Sequence, residues 1–198
     1  MAAKLAFIFF SMILTNNYVL VKFLGICPFL GVSKKLDSAV GMSAAVTFVM
    51  VVATLATWPI YTGLLEPNGL GYLQTIVFIL VIAILVQLLE TVMKKFMPPL
   101  YKALGIYLPL ITTNCTILGV TILNLDNGYS YLESIVCALG AGLGFMLAMV
   151  LFSGVRKRLE DARPPKCFEG LPITLVAASI VSLSFTGFGG LIENIFGM

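Results

Sequence analysis

The sequence predicts an all-α integral membrane protein whose six transmembrane helices form two inverted three-helix repeats, with helices 1 and 4 interrupted. Three observations carry that expectation. The chain of 198 residues is 60% hydrophobic, with a mean hydropathy of +1.05 and only 11% charged residues. A soluble domain of this length cannot hide so much apolar surface, because about half apolar is the usual share. Apolar runs near the roughly 20 residues that cross a bilayer recur along the whole chain, and a cysteine-bearing motif occurs once in each half.

The six runs cover residues 5–32, 39–61, 70–93, 101–125, 131–155 and 171–195. The links are too short for a soluble domain, so nothing outside the membrane can bind a nucleotide or a large cofactor. Their charges alternate. Lys34 and Lys35 lie in the first link, Lys94, Lys95 and Lys102 in the third, and Arg156, Lys157, Arg158, Arg163 and Lys166 in the fifth. The second and fourth carry Glu66 and Asp126 and no Lys or Arg. Basic residues mark the cytoplasmic side, so links one, three and five are expected inside a prokaryotic cell membrane and both termini outside. The N-terminal segment lacks a small-residue cleavage pattern, so it reads as the first span and not as a leader.

The two halves of the chain share sequence motifs, the mark of an internal repeat. Cys27-Pro28-Phe29-Leu30-Gly31-Val32 matches Cys115-Thr116-Ile117-Leu118-Gly119-Val120, a shared C-x-x-L-G-V. Leu36-Asp37-Ser38-Ala39-Val40 likewise matches Leu132-Glu133-Ser134-Ile135-Val136, with extra residues in the second copy around Asp126 to Tyr129. The chain therefore reads as one membrane domain of two repeats, approximately 1–95 and 96–198. Three spans per repeat make the halves enter the membrane in opposite directions. Equivalent residues then face each other across an axis in the membrane plane, and Cys27 should approach Cys115 near mid-membrane.

Both cysteine-bearing runs are interrupted at matching places, the first by Asn16, Asn17, Lys22, Gly25 and Pro28, the fourth by Gly105, Pro109, Thr112, Thr113, Asn114 and Gly119. Such paired breaks point to a functional centre, whose polar groups must be satisfied inside protein. A lone membrane cysteine is usually a packing residue. Two at equivalent positions beside helix breaks, Cys27 and Cys115, favour a metal or redox role. Histidine is absent, which removes imidazole-ligated haem, copper and zinc and leaves thiolates or carboxylates as ligands. An iron–sulfur cluster usually takes four cysteines, so two would have to come from another chain. Cys137 and Cys167 lack the symmetry and read as incidental; with no dense cysteine framework, disulfide stapling is not expected.

Asn16, Asn17, Lys22, Thr113 and Asn114 are candidates for an ion path or for support of the helix breaks. Glu90 lies four residues before Lys94, an ion-pair spacing. Gly140-Ala141-Gly142-Leu143-Gly144 is no phosphate loop, because it lies inside a span; Gly140 and Gly144 make a GxxxG face for close helix packing. The basic cluster at 156–158 reads as a topology anchor. A net charge of +3, clustered at helix ends, does not suggest nucleic acid.

The stretch from Asn16-Asn17 through Lys22 and Cys27-Pro28-Phe29 to Lys35, with Leu104-Gly105-Ile106 through Thr112-Thr113-Asn114-Cys115, resembles the A subunit of the Rnf electron-transport complexes. It is also similar to a relative of that protein, the E subunit of the sodium-translocating NADH:quinone oxidoreductase. The resemblance covers essentially the whole chain. It implies a component of a translocase, a ferredoxin:NAD+ oxidoreductase that transports ions, with no independent activity. It further implies pairing with a homologous, oppositely oriented membrane protein (the E subunit in Rnf), beside subunits like B, C, D and G. Cys27 and Cys115 would then hold one [2Fe-2S] cluster shared with that partner, and electron flow through it would be coupled to Na+ or H+ transport. The alternatives are a secondary transporter, for which inverted repeats with broken helices are also typical, and a purely scaffolding component with inert cysteines.

Overall fold

The first apolar run is helical only at its ends. A computed structural model describes residues 2–33, 36–96, 108–160, 165 and 168–188. In it, helix α1 spans Ala2–Ile13 and α2 spans Ile26–Val32. Between them stand Asn16 and Asn17, whose side chains offer the backbone an alternative to helical bonding. The chain then passes through positive φ at Phe23 (54°) and Gly25 (80°). Pro28 falls in the first turn of α2, where a missing N–H costs the helix nothing.

Helix α3 spans Leu36–Ile60 and runs on through a π turn at Tyr61–Leu65. Pro59 sits just before that turn and interrupts the regular ladder. The bonding widens there, the Glu66 N–H donating to the Tyr61 carbonyl at 3.0 Å. A short 3-10 turn at Gly71–Leu73 leads into α4, Gln74–Phe96, which ends on Lys94 and Lys95. The fourth run is broken like the first: α5 covers Leu108–Thr112 and α6 covers Cys115–Asp126. Helix α7 spans Tyr131–Glu160 and α8 spans Leu171–Thr186.

No strand occurs among the described residues. Three helices there are long and apolar enough to cross a membrane: Leu36–Leu65, Gly71–Val92 and Tyr131–Leu159. The first, fourth and sixth runs provide the shorter apolar helices Lys4–Ile13, Leu110–Asp126 and Leu171–Thr186. Lys34, Lys35, Lys102, Gly105, Arg163, Lys166 and Cys167 lie outside the described residues.

Helices α3 and α7 form the central pair, and α1, α6 and α8 pack around α7 while α4 and α6 pack on α3. The core between them is made of Met42, Val46, Met50, Ile117, Val120, Phe145, Met149 and Phe152. The outer face of α4 is apolar and exposed, with Ile76, Leu80, Ile84 and Leu88 each more than half accessible. A face of that kind requires a non-aqueous surrounding. Hydroxyls inside the spans bond back to their own helix, as Ser43 to the Ala39 carbonyl (2.6 Å), Thr54 to Met50 (2.9 Å) and Thr57 to Ala53 (2.8 Å). This leaves none of these donors facing hydrocarbon.

The GxxxG face does what its spacing predicts. A Cβ on Gly140 would stand 3.0 Å from the Phe9 carbonyl oxygen, and one on Gly144 would stand 2.8 Å from that of Met12, so α1 lies with its backbone directly on α7. Gly142, between them, opens another face of α7 to the Thr47 side chain of α3. Two polar ties fix which ends of the helices meet. Lys4 pairs with Glu133 at 2.8 Å, joining the start of α1 to the start of α7. At the opposite end of α7, the Arg156 guanidinium donates to the Leu30 carbonyl and to Ser33 Oγ.

Candidate cofactor-binding site

Each break is built around an asparagine. Asn17 is fully buried. Its Oδ1 accepts from the Val19 N–H at 3.0 Å and the Leu20 N–H at 3.4 Å, while its Nδ2 donates to the Gly144 carbonyl at 2.8 Å and the Ile13 carbonyl at 3.2 Å. One side chain therefore satisfies the interrupted backbone and anchors it to α7. Asn16 plays a smaller part, donating to Ser11 Oγ at 3.1 Å. Ser182 of α8 adds a further tie, donating to the Leu20 carbonyl. In the second break, Asn114 is the N-cap of α6, its Oδ1 accepting from the Thr116 N–H at 3.0 Å. Thr113 is exposed at the turn beside it.

The two breaks touch. The Gly25 N–H donates to Cys115 Sγ at 2.9 Å, and Cys27 follows Gly25 by two residues, a span of at most about 7 Å of chain. Cys27 is the second residue of α2 and Cys115 the first of α6. Both thiols are exposed on the chain surface, whereas Cys137 is buried. Among the described residues, no group of three or more His, Cys, Asp or Glu converges on a metal-sized site. Two exposed sulfurs on adjoining helix starts suit one half of a four-thiolate set.

The remaining candidates spread out. Lys22 is exposed within the first break, and its Nζ lies 5.5 Å from the centroid of the buried Tyr18 ring, a cation–π distance. Asn16 lines a cavity of about 200 Å³ with Phe7, Ile8, Ser11, Met12, Thr15 and Tyr129. The reading of the 156–158 cluster as a topology anchor alone needs correcting for Arg156, which also caps the C-terminal end of α2. Sequence reasoning missed this role, along with that of Ser182. Arg156 looks like its neighbours Lys157 and Arg158 until the helices are packed, and a lone serine in an apolar helix carries no signal of its own.

Comparison with known proteins decides the class. Residues 5–192 match the family described as "Rnf-Nqr subunit, membrane protein". The chain belongs to the Rnf-Nqr family. Among Rnf-Nqr relatives, it is 56% identical over 187 residues to the A subunit of the Na(+)-translocating ferredoxin:NAD(+) oxidoreductase complex of Acetobacterium woodii, covering 94% of this chain and 97% of the other. It is 53% identical to the A subunit of the ion-translocating oxidoreductase complex of Syntrophotalea carbinolica, over 96% of this chain and 99% of the other. The protein of the same description from Serratia proteamaculans is 54% identical over 94% and 96%. The family resemblance read from the two cysteine motifs is thereby borne out over nearly the full length.

Proposed function

We propose that this chain is the A subunit of an Rnf-type ferredoxin:NAD+ oxidoreductase in a prokaryotic cell membrane, carrying electrons through an intramembrane [2Fe-2S] cluster shared with a homologous membrane protein. The observation that carries the proposal is the contact between the two breaks, which sets Cys27 and Cys115 on adjoining helix starts with both sulfurs exposed. Near-full-length similarity to A subunits of ion-translocating oxidoreductase complexes supports the complex and its chemistry. Bound between the two proteins, the cluster would supply a one-electron carrier at the two helix breaks. This chain contributes Cys27 and Cys115 as two of four thiolate ligands; the homologous partner, like the E subunit of Rnf, contributes the other two. Subunits like B, C, D and G bring electrons to and from the membrane, and the flow drives Na+ or H+ across it.

The architecture proposed with this function is six spans in two inverted repeats, with links one, three and five cytoplasmic. The Lys4–Glu133 pair supports it by placing the N-terminus beside link four, and the Arg156 contacts support it by placing the start of link five beside link one. The charge pattern assigns these two groups of segments to opposite faces.

The test is to purify the complex anaerobically and compare iron content and EPR of the wild type with Cys27→Ser and Cys115→Ser. Loss of one and the same reduced [2Fe-2S] signal from both variants, with assembly intact, supports the assignment. An unchanged cluster inventory removes it and brings forward the transporter or scaffold reading.

A further inference from the structure

The contact between Gly25 and Cys115 is held from several sides. Gly25 is buried and takes φ +80°, a conformation that L side chains rarely adopt. A Cβ there would strike Thr116 Oγ1, with Asn114 Oδ1 and the Phe145 ring each 3.2 Å away. Asn114 is in turn fixed by its cap bond to the Thr116 N–H. The residues on either side of Cys115 thus form a wall against which Gly25 lies, its N–H turned to the sulfur. A thiol sulfur is a weak acceptor, whereas a sulfur carrying negative charge accepts strongly. Thr116 Oγ1 and Asn114 Nδ2 are themselves buried without a protein partner, so this wall spends polar groups to keep its shape.

We infer that Gly25 is a positioning residue for the electron carrier: its N–H, pressed onto the Cys115 sulfur by Asn114 and Thr116, holds the reduction potential of the cluster more positive than thiolate ligation alone. The inference rests on the proposed function, because it assigns a role toward the cluster that Cys27 and Cys115 would hold. Its physical basis is general. Hydrogen bonds to ligand sulfur stabilise the electron-rich reduced state and are among the main settings of cluster potential. Glycine reaches the positive φ of this position without the penalty a Cβ would bring.

The experiment uses the whole complex, labelled with 15N-glycine, reduced anaerobically and examined by pulsed EPR, with a redox titration of each sample. The wild type is expected to show a weakly coupled glycine nitrogen at the cluster that is lost in Gly25→Ala. The Gly25→Ala midpoint is expected to move to more negative potential. If Gly25→Ala does not retain its cluster, the labelled wild type decides. Absence of a glycine coupling in the wild type, or a Gly25→Ala midpoint equal to the wild type, overturns the inference. A cluster inventory independent of Cys27 and Cys115 is a different result, and it removes the proposed function instead.

Discussion

Replacing Asn17 with alanine should be far more damaging than replacing its neighbour Asn16. Asn17 is 0% exposed, and its amide serves four backbone groups, two of them at short range: the Gly144 carbonyl at 2.8 Å and the Val19 N–H at 3.0 Å. Alanine leaves the Val19 N–H buried without its partner and removes the interhelical bond to the Gly144 carbonyl, which keeps its bond within α7. An orphaned buried polar group costs about 1–3 kcal/mol, and interhelical hydrogen bonds within bilayers average about 0.6 and reach about 1.7 kcal/mol. Taking about 1–1.5 kcal/mol for each short bond gives a loss of about 2–3 kcal/mol for Asn17→Ala. That is roughly a 30- to 150-fold change in the folding equilibrium. Asn16 makes one partly buried side-chain bond, to Ser11 Oγ, so Asn16→Ala should cost about 0.5–1 kcal/mol. Unfolding of the purified chain in mixed micelles with rising dodecyl sulfate measures both. Trp58, the chain's single tryptophan, donates to the Tyr129 carbonyl at 3.2 Å and reports the loss of packing. An Asn17→Ala loss below about 0.5 kcal/mol, or one smaller than that of Asn16→Ala, refutes the reasoning.

Other consequences can be read with the same titration. Gly144→Val drives a branched side chain into the Met12 carbonyl and should cost about 1–3 kcal/mol as α1 is lifted from α7. Gly142→Ala strikes the Thr47 side chain first, so adding Thr47→Ala should restore most of its loss, a coupling that a double-mutant cycle detects. Arg156→Ala uncaps α2 and should cost about 1.5–3 kcal/mol, with Arg156→Lys recovering part, because a lysine supplies the charge without the fork. Labelling of single cysteines with an impermeant reagent, in a chain with its native cysteines replaced, should mark position 127 from outside the cell and position 157 only after the membrane is opened.

The helix breaks were legible because they rest on residue types that disturb a helix locally. Asn16, Asn17, Gly25 and Pro28 each act within a turn of their own position, so a linear reading finds them. The GxxxG face was legible for the same reason, since residues four apart share one side of a helix. What the residues could not disclose was which partner each polar group meets at long range. Arg156 reaches Leu30 and Ser33, and Ser182 reaches Leu20; both pairings exist only after α7 and α8 have docked. The contact between Gly25 and Cys115 stands between these cases. Matched motifs predicted that the cysteines approach, but the donor proved to be a backbone N–H that no residue type advertises.

The seat of the first span also sets a timetable for synthesis. Asn17 and the Gly144 carbonyl it needs are 127 residues apart, and a ribosome adding roughly 5–20 residues per second needs roughly 6–25 s to connect them. Throughout that interval α1 exists while the glycine ledge it will rest on has not been made. The Asn17 amide can meet the Ile13, Val19 and Leu20 backbone at once, but its tie to α7 is still missing. The first break can therefore take its local shape early, while its lock onto α7 closes only after residue 144 has been made.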